Sequence, residues 1–495
     1  MLILIRFSGE ITTKARETRT RFVQRLAQNI TAALQDAKIS FELRQEWSRF
    51  FLKTDAPQAL EILARVFGVH SLSIVEQRNA HTLEEIVEAG RALARDVVSG
   101  RRFAVRAQRT GKTSYTSLDV ERALGAALRP YAQRVDLTYP EVTVHVEIRD
   151  GTVYFFTEKT LGPGGLSIGA SGRALALISG GFDSAVASWL MLKRGVALDY
   201  LFCNLGGTLH EQGVLKVSKR LVRHWSYGDQ PRLYALDFQP LVRELQAKTH
   251  KRYWQLLLKR LMYRAAERLS VKLRRIGIVT GEAIGQVSSQ TLRNLAVLSQ
   301  AVRAPLWRPL LSFNKDEIIA LARRIGTYEI SATVEEYCAL LPKRPATGAS
   351  LRVLLAEEEQ LDLTLLDRAL DEHRVYDVRN VDPDSLSITE IEIAEIPEGA
   401  VVIDLRSPSA YQTWHYPGAL YMDFFQALQD FTKLDRAPLY VLYCELGLKS
   451  AHLAEEMRAA GYRAFHFKGA LQNLMKYALE NDLLPPELLP PSAWH

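Results

Sequence analysis

The chain has 495 residues, 47% of them hydrophobic and 24% charged, and a net charge of +7. That length is too great for one core and calls for three or four domains of about 150 residues. No apolar run approaches the roughly 20 residues that cross a bilayer, and the apolar stretch of MLILIRFSGEITTK is too short for a signal peptide, so a cytoplasmic protein with no membrane partner is expected. The three cysteines, Cys203, Cys338 and Cys444, are far apart and form no CxxC pair, which argues against a structural zinc site or a disulfide scaffold. Charge is unevenly spread: residues 1–170 hold 24 Lys+Arg against 19 Asp+Glu, residues 171–345 hold 27 against 13, and the remainder holds 12 against 24. A basic front two thirds points to a polyanion partner.

Residues 1–60 open with a strand-like MLILIRF, turn at Ser8–Glu10 and continue in TRFVQRLAQNITAALQ, whose apolar positions recur as in an amphipathic helix. EWSRFFLKT then alternates like a strand. Arg16, Arg19, Arg21 and Arg25 give this small α+β unit a basic edge, suited equally to phosphate and to water. A second unit, bounded at 61–168, reads ALEILARVFG and HTLEEIVEAGRALARDVV as helices and RRFAVRAQRT as a basic strand. SLDVERALGAALRPYA follows as a helix opened by Ser117 with Glu121 in its first turn, and VTVHVEIRD with GTVYFFTEK as a hairpin. Arg101, Arg102, Arg106, Arg109 and Lys112 fall in the basic strand and its exit, a row suited to gripping folded RNA by its phosphates. FAVRAQRTGK followed by SLDVERALGAAL resembles a THUMP domain, an RNA-binding module of tRNA-modifying enzymes. The unit before it resembles the ferredoxin-like domain that precedes THUMP in one such family. LGPGGLSIGASGR, with five glycines and a proline in thirteen residues, reads as a linker.

Residues 173–345 alternate strand and helix, as a doubly wound, mostly parallel α/β sheet does. Ala174–Ile178 is an apolar run of strand length and Ser184–Arg194 has helical spacing, so Ser179–Asp183 must be the tight turn between them. Gly180 and Gly181 let backbone approach a ligand closely, Ser179 and Ser184 offer hydroxyls, and the free N–H groups of the helix start face the same turn. Phosphate fits there. The Lys that ends a Walker-type loop is absent, and Asp183 at the tip suits a Mg²⁺ ion bridging phosphate oxygens. SGGFDS in this setting resembles the PP-loop of ATP pyrophosphatases, which implies cleavage of ATP between its α and β phosphates. Asn204–Gly207 and Thr280–Gln290 follow later strands and are expected to face the nucleotide, with Gly281 admitting adenine or ribose and Gln290 reading a base edge. The basic helix KTHKRYWQLLLKRLMYRAAERL is expected to send Lys259 to the ATP phosphates and to face RNA as a whole. Cys203, inside a strand, reads as buried filler, whereas Cys338 falls in a polar loop.

SGGFDS, GEAIGQVSSQTLRNL, RPL with FNKDEII, and EEYC, spaced in this way behind a THUMP-like domain, are similar to the tRNA 4-thiouridine synthase (ThiI) family, and the resemblance spans the chain. It implies ATP-dependent replacement of O4 by sulfur in the uridine eight residues from the 5′ end of tRNA. It carries ATP contact to Leu177, Ile178, Lys259, Gly281 and Gln290, and assistance of adenylation to Asp183 and Lys315. After an acidic connector, residues 346–400 with 14 Asp+Glu against 4 Lys+Arg, residues 401–495 place Cys444 in a loop between a strand and a helix. Backbone N–H groups aimed at the sulfur would suit a persulfide carrier. With DLR at Asp404–Arg406, His415 and Pro417–Ala419, this part resembles a rhodanese domain, Lys449 standing where many rhodaneses end the loop with Arg.

On this resemblance Cys444 carries the sulfur. Cys338, attacking the inner sulfur, leaves a Cys338–Cys444 disulfide that a cellular thiol reductant resets, and the sequence leaves open direct attack of the persulfide on uridine or prior release of sulfide. A cysteine desulfurase is implied as persulfide donor and a thiamine sulfur-carrier protein as a second recipient, while a homodimer stays open. The expected fold class is multidomain α/β and α+β: ferredoxin-like, THUMP, PP-loop and rhodanese-like. Rival readings are a small-molecule adenylating PP-loop enzyme, a sulfur-relay protein with an idle nucleotide site, and a plain RNA-binding protein.

Overall fold

The computed structural model describes residues 1–111, 113–149, 151–334, 344–386 and 388–483, so Lys112 and Cys338 lie outside the described residues. No helix among those described is long and apolar enough to cross a membrane. The chain forms two compact units, one of Met1–Ser171 with Leu192–Val196 and Tyr227–Asp229, the other of the rest.

In the first unit the strand Leu2–Phe7 pairs antiparallel with Arg49–Lys53 and with Val69–Ile74. Side-chain alternation gives it two apolar faces: Ile3, Ile5 and Phe7 pack with Phe22, Leu26 and Ile30 of the helix Arg16–Asp36, while Leu4 packs with Phe51, Val75 and Tyr154. Glu42–Gln45 and Thr160–Leu161 complete this sheet at its two edges. The boundary expected at residue 60 therefore moves, because pairing to Leu2–Phe7 draws Val69–Ile74 into the first sheet. The expected turn at Ser8–Glu10 opens a short helix, Gly9–Thr12.

A second sheet in this unit runs in the order Glu76–Asn79, Thr152–Phe156, Val142–Arg149, Arg102–Thr110, Arg134–Val135. The helices Leu83–Val98 and Ser117–Leu128 share its apolar core. The second of them is capped by Thr116, whose hydroxyl accepts the Asp119 N–H, and not by Ser117. Glu121 accepts the Ala107 N–H at 2.9 Å, tying the helix to the basic strand. Between the two sheets Glu147 pairs with Arg6 at 2.6 Å and with Arg49, so one buried carboxylate is shared by two guanidinium groups.

The second unit holds a six-stranded sheet in the order Leu306–Trp307, Ile278–Val279, Arg173–Leu177, Ala197–Asn204, Arg232–Asp237, Arg374–Asp377. The first five run parallel and the last is antiparallel. Successive strands lie to one side of Arg173–Leu177 and then to the other, so a topological switch point falls at its carboxyl end. Every residue of Ala197–Asn204 is buried, as helices on both faces of a parallel sheet require.

The acidic segment 346–400 is a connector only in its later part. The helices Leu351–Glu358 and Thr364–Asp371 contribute Leu354 and Leu366 to the core, and Arg374–Asp377 pairs with Arg232–Asp237. Charge holds this segment in place as well: Glu358 takes Arg260 and Arg264, each at 2.5 Å, and Asp367 takes Arg268. The helix Trp254–Leu273 thus turns much of its charge toward the acidic segment, correcting the expectation that it faces RNA as a whole. The +14 and −12 segments of the sequence partly neutralise each other in the fold.

Beyond it a five-stranded parallel sheet, ordered Glu392–Ile393, Arg463–Phe467, Leu439–Tyr443, Val401–Asp404, Leu420–Tyr421, forms the C-terminal body.

Candidate active site

Strand Arg173–Leu177 runs through Ile178 into the turn Ser179–Gly181 and on into the helix Phe182–Lys193. Leu177 is half-buried and Ile178 buried behind the turn. Gly180 has φ +81°, and a Cβ on it would stand 2.8 Å from Val334 Cγ1, so both conformation and space demand glycine. The Ser184 hydroxyl accepts the Ser179 N–H at 3.2 Å and donates to the Gly181 carbonyl at 3.1 Å. It braces the turn from inside, where a ligand-facing hydroxyl was expected.

Two segments far apart in sequence complete the site. Lys315, first residue of the helix Lys315–Ile325 and capped by Asn314, places Nζ 2.9 Å from Asp183 Oδ1. Gln286 donates to Asp183 Oδ2 at 2.8 Å. The exit of Ile278–Val279 packs directly on the turn: a Cβ on Gly281 would lie 2.8 Å from backbone atoms of Asp183 and Ser184. Gly281 lacks a side chain to admit that backbone, which replaces the expectation that the space serves adenine or ribose. Gln290 is buried and accepts the Ala283 N–H at 3.2 Å, so its side chain shapes the 281–290 loop instead of reading a base edge.

Glu282, adjoining Gly281, is a residue that sequence reasoning overlooked. It is buried and receives Lys259 at 3.0 Å, Arg308 at 2.7 Å, the Tyr263 hydroxyl at 2.5 Å and the Thr280 hydroxyl at 3.2 Å. Burial alone would raise its pKa, but the Lys259 and Arg308 charges outweigh that and hold it at about 2. Lys259, expected at the ATP phosphates, is held here on a carboxylate. The signal was its position, since a carboxylate directly after a parallel strand lies on the ligand-facing edge.

Beside the turn lies a cavity of about 790 Å³ lined by Gly181, Phe182, Gln286, Phe313, Lys315 and Val334, among others. Its size is that of a small-molecule site. A glycine turn at a helix start, a carboxylate and lysine at its tip, and a second lysine held on Glu282 beyond the neighbouring strand fit the polyphosphate of a nucleotide.

In the C-terminal body Cys444 ends strand Leu439–Tyr443 and precedes the helix Leu448–Ala459. Its Sγ accepts the Gly447 N–H at 3.2 Å and lies 3.4 Å from Ser450 Oγ, which in turn meets His466 Nδ1 at 2.8 Å. Gly447, with φ +91°, would bring a Cβ within 3.0 Å of the His466 ring. Asp404 and Arg406 form a forked pair, with Arg406 Nη2 at 2.7 Å and the Tyr443 hydroxyl donating to Asp404 at 2.5 Å, so DLR holds the strand end that carries Cys444. Cys203 is buried in the core of the six-stranded sheet, and burial pushes its thiol pKa up, as filler requires.

The arginine row separates. Arg102 pairs with Glu141 at 3.1 Å and Asp136 at 3.7 Å, Arg106 donates to the Leu137 carbonyl at 2.7 Å, and Arg109 to the Gly111 carbonyl at 2.9 Å. Arg101 is exposed just before the strand, and strand alternation sets Arg102 and Arg106 on one face and Arg109 on the other.

A glycine turn with a carboxylate tip on a parallel sheet, joined to a body that seats a cysteine at a helix start, defines the class: a PP-loop nucleotide enzyme with a rhodanese-like module. Profile matches agree, with the thiamine biosynthesis protein (ThiI) over residues 169–363, the ThiI ferredoxin-like domain over 2–73, the THUMP domain over 80–158 and the rhodanese-like domain over 392–476. The chain is 39% identical to the tRNA sulfurtransferase of Desulfurococcus amylolyticus, covering 94% of this chain and 97% of the relative, and 35% identical to that of Yersinia enterocolitica, covering 93% and 98%. The chain belongs to the tRNA sulfurtransferase (ThiI) family. A crystal structure of a 4-thiouridine synthetase–RNA complex with bound ATP matches at TM-score 0.68 and 28% identity, covering 76% of this chain and 98% of that one.

Proposed function

We propose that the protein is an ATP-dependent enzyme that transfers sulfur to tRNA, turning a uridine into 4-thiouridine at the residue eight from the 5′ end. One observation carries the reading: the Asp183–Lys315 turn and the Cys444 loop belong to a single compact unit. A carbonyl oxygen such as O4 is a poor leaving group. Attack by O4 on the α phosphorus of ATP expels pyrophosphate and leaves AMP on O4, and sulfur then attacks C4 and expels AMP. In this chain the Gly180–Gly181 turn would seat the phosphates, while Lys315 and Lys259, each poised on a carboxylate, would take up phosphate charge.

Asp183 would hold Mg²⁺ together with phosphate oxygens, and the ion when bound neutralises their charge. That fit is supported by the chemistry of the residue present: Asp183 is a carboxylate at the tip of the turn, and Mg²⁺ is commonly held by one or two carboxylates plus phosphates.

The sulfur would come from a cysteine desulfurase as a persulfide on Cys444. Attack by the Cys338 thiolate on Cys444 Sγ would release hydrosulfide and form the Cys338–Cys444 disulfide, which two cellular thiols would reduce by exchange, themselves ending as a disulfide. Cytoplasmic location and a second sulfur delivery toward thiazole synthesis belong to the same reading. Mass spectrometry of tRNA after incubation with ATP, Mg²⁺ and a persulfide donor tests it. Wild type should form thiouridine and Asp183→Asn, Cys444→Ser and Cys338→Ser should not; thiouridine from Cys444→Ser would refute the carrier role.

A further inference from the structure

The rhodanese-like domain is seated on the nucleotide-facing edge of the six-stranded sheet by a specific set of contacts. Its helix Leu448–Ala459 starts four residues after Cys444 and lies against the helix Gly207–Trp225. The N–H groups of a first helical turn have no partner within the helix. Here the Thr208 N–H donates to both oxygens of Glu455, at 3.3 and 3.2 Å, so a carboxylate of one domain caps a helix of the other. Gly207 has φ +74°, and a Cβ on it would stand 2.2 Å from Glu455 Oε2 and 3.5 Å from the His452 ring, which accounts for glycine there.

Three more contacts flank the cap. His452 Nε2 lies 2.8 Å from Gln239 Nε2, Arg243 donates to Glu456 at 2.9 Å, and Leu209 packs against the rhodanese-like core. Thr208 and Gln239 follow strands Ala197–Asn204 and Arg232–Asp237 at their carboxyl ends, the edge at which Ser179–Gly181 leaves Arg173–Leu177. His210, in the first turns of the helix Gly207–Trp225, and His452 are both buried at this seam.

Resting on the reading of Cys444 as sulfur carrier, we propose that Glu455, with His452 and Glu456, docks the carrier domain on this edge for transfer, and that Glu455 and the Arg243–Glu456 pair are positioning residues for the sulfur step. None of them touches the reacting atoms, so their loss should spare both half-reactions.

The test uses the full-length protein as Glu455→Lys, Arg243→Glu, Glu456→Arg and the Arg243→Glu/Glu456→Arg double variant. Three rates are read: tRNA-dependent ATP–pyrophosphate exchange, persulfide loading of Cys444 by intact mass, and single-turnover thiouridine formation from preloaded protein. Each single variant should slow the last by about tenfold or more, equivalent to about 1.4 kcal/mol, with exchange and loading near wild type. The double reversal should restore most of the transfer rate, and the spared exchange and loading separate docking from a merely structural role, which would lower all three rates together. Unchanged transfer in the single variants, equal loss of exchange, or faster transfer on undocking would each overturn the proposal. Absence of thiouridine from wild type would instead overturn the sulfur-transfer reading on which it rests.

Discussion

Glu282→Gln isolates the electrostatics of the candidate site, because the amide matches the carboxylate in shape and creates no cavity. The pKa of Glu282 is held at about 2 against an ordinary 4.5. At about 1.4 kcal/mol for each tenfold in proton affinity, the ionised group contributes on the order of 3 kcal/mol at neutral pH. A second route gives a similar figure, since leaving buried charges without their partner costs about 3–5 kcal/mol. The side chains of Arg308 and Lys259 are 13% and 26% exposed, so their charges cannot fully rehydrate where they stand. At roughly 2–4 °C per kcal/mol for a domain of this size, the first unfolding transition should fall by about 6–12 °C. Scanning calorimetry of both proteins at several pH values measures it. The folded-state pKa is lowered, so the stabilisation is present above about pH 4.5 and drains away as pH falls toward 2. The gap between wild type and variant should shrink over that range. A gap below about 1 kcal/mol at neutral pH, or one that stays constant on acidification, would refute the reasoning.

Gly281→Ala should force the strand exit off the turn at a cost of about 1–3 kcal/mol and lower ATP–pyrophosphate exchange; exchange at the wild-type rate would contradict the backbone contact. Cys203→Ser, which puts a hydroxyl into an apolar core, should cost about 1–3 kcal/mol yet leave thiouridine formation per folded molecule intact, whereas Cys444→Ser should abolish it. Burial holds the pKa of His210 at about 4, His452 at about 3 and His466 at about 4. Their folded-state values are lowered, so the stability they confer is complete above about pH 6.5 and is lost as pH falls toward 4. His452 faces Gln239, Glu456, Phe424 and His210, and Arg243 also lowers its pKa. Denaturant midpoints measured from neutral pH to pH 4 should decline, and less steeply in His452→Gln.

The turn SGGFDS is legible in sequence because its neighbours obey two clean periods, and glycine at positive φ leaves few alternatives. Asp183 and Lys315 reach the same place only through the family resemblance, since nothing local announces a contact across 132 residues. Glu282 escapes notice because a single Glu after a short strand looks solvated until Lys259, Arg308 and Tyr263 converge on it. Charge counting fails in a different way. A local sum treats Arg260, Arg264 and Arg268 as available to RNA, while folding sets them against Glu358 and Asp367 from a segment that reads as linker. Strand Val69–Ile74 is likewise assigned by its partner across the sheet and not by its own pattern.

The antiparallel edge strand Arg374–Asp377 fixes how far the rhodanese-like domain can stand from the six-stranded sheet. It anchors the chain to one sheet at Asp377, and the next sheet begins at Glu392, so only fourteen residues join them. Fully extended they would reach roughly 50 Å, but Lys219 donates to the Val381 carbonyl at 2.6 Å and Lys216 pairs with Asp384 at 2.7 Å, so the free tether is shorter, and a short tether keeps what it carries at millimolar effective concentration. A group carried on this domain would therefore reach the turn as an intramolecular event, and a detached domain would have to be supplied at comparable strength to replace it.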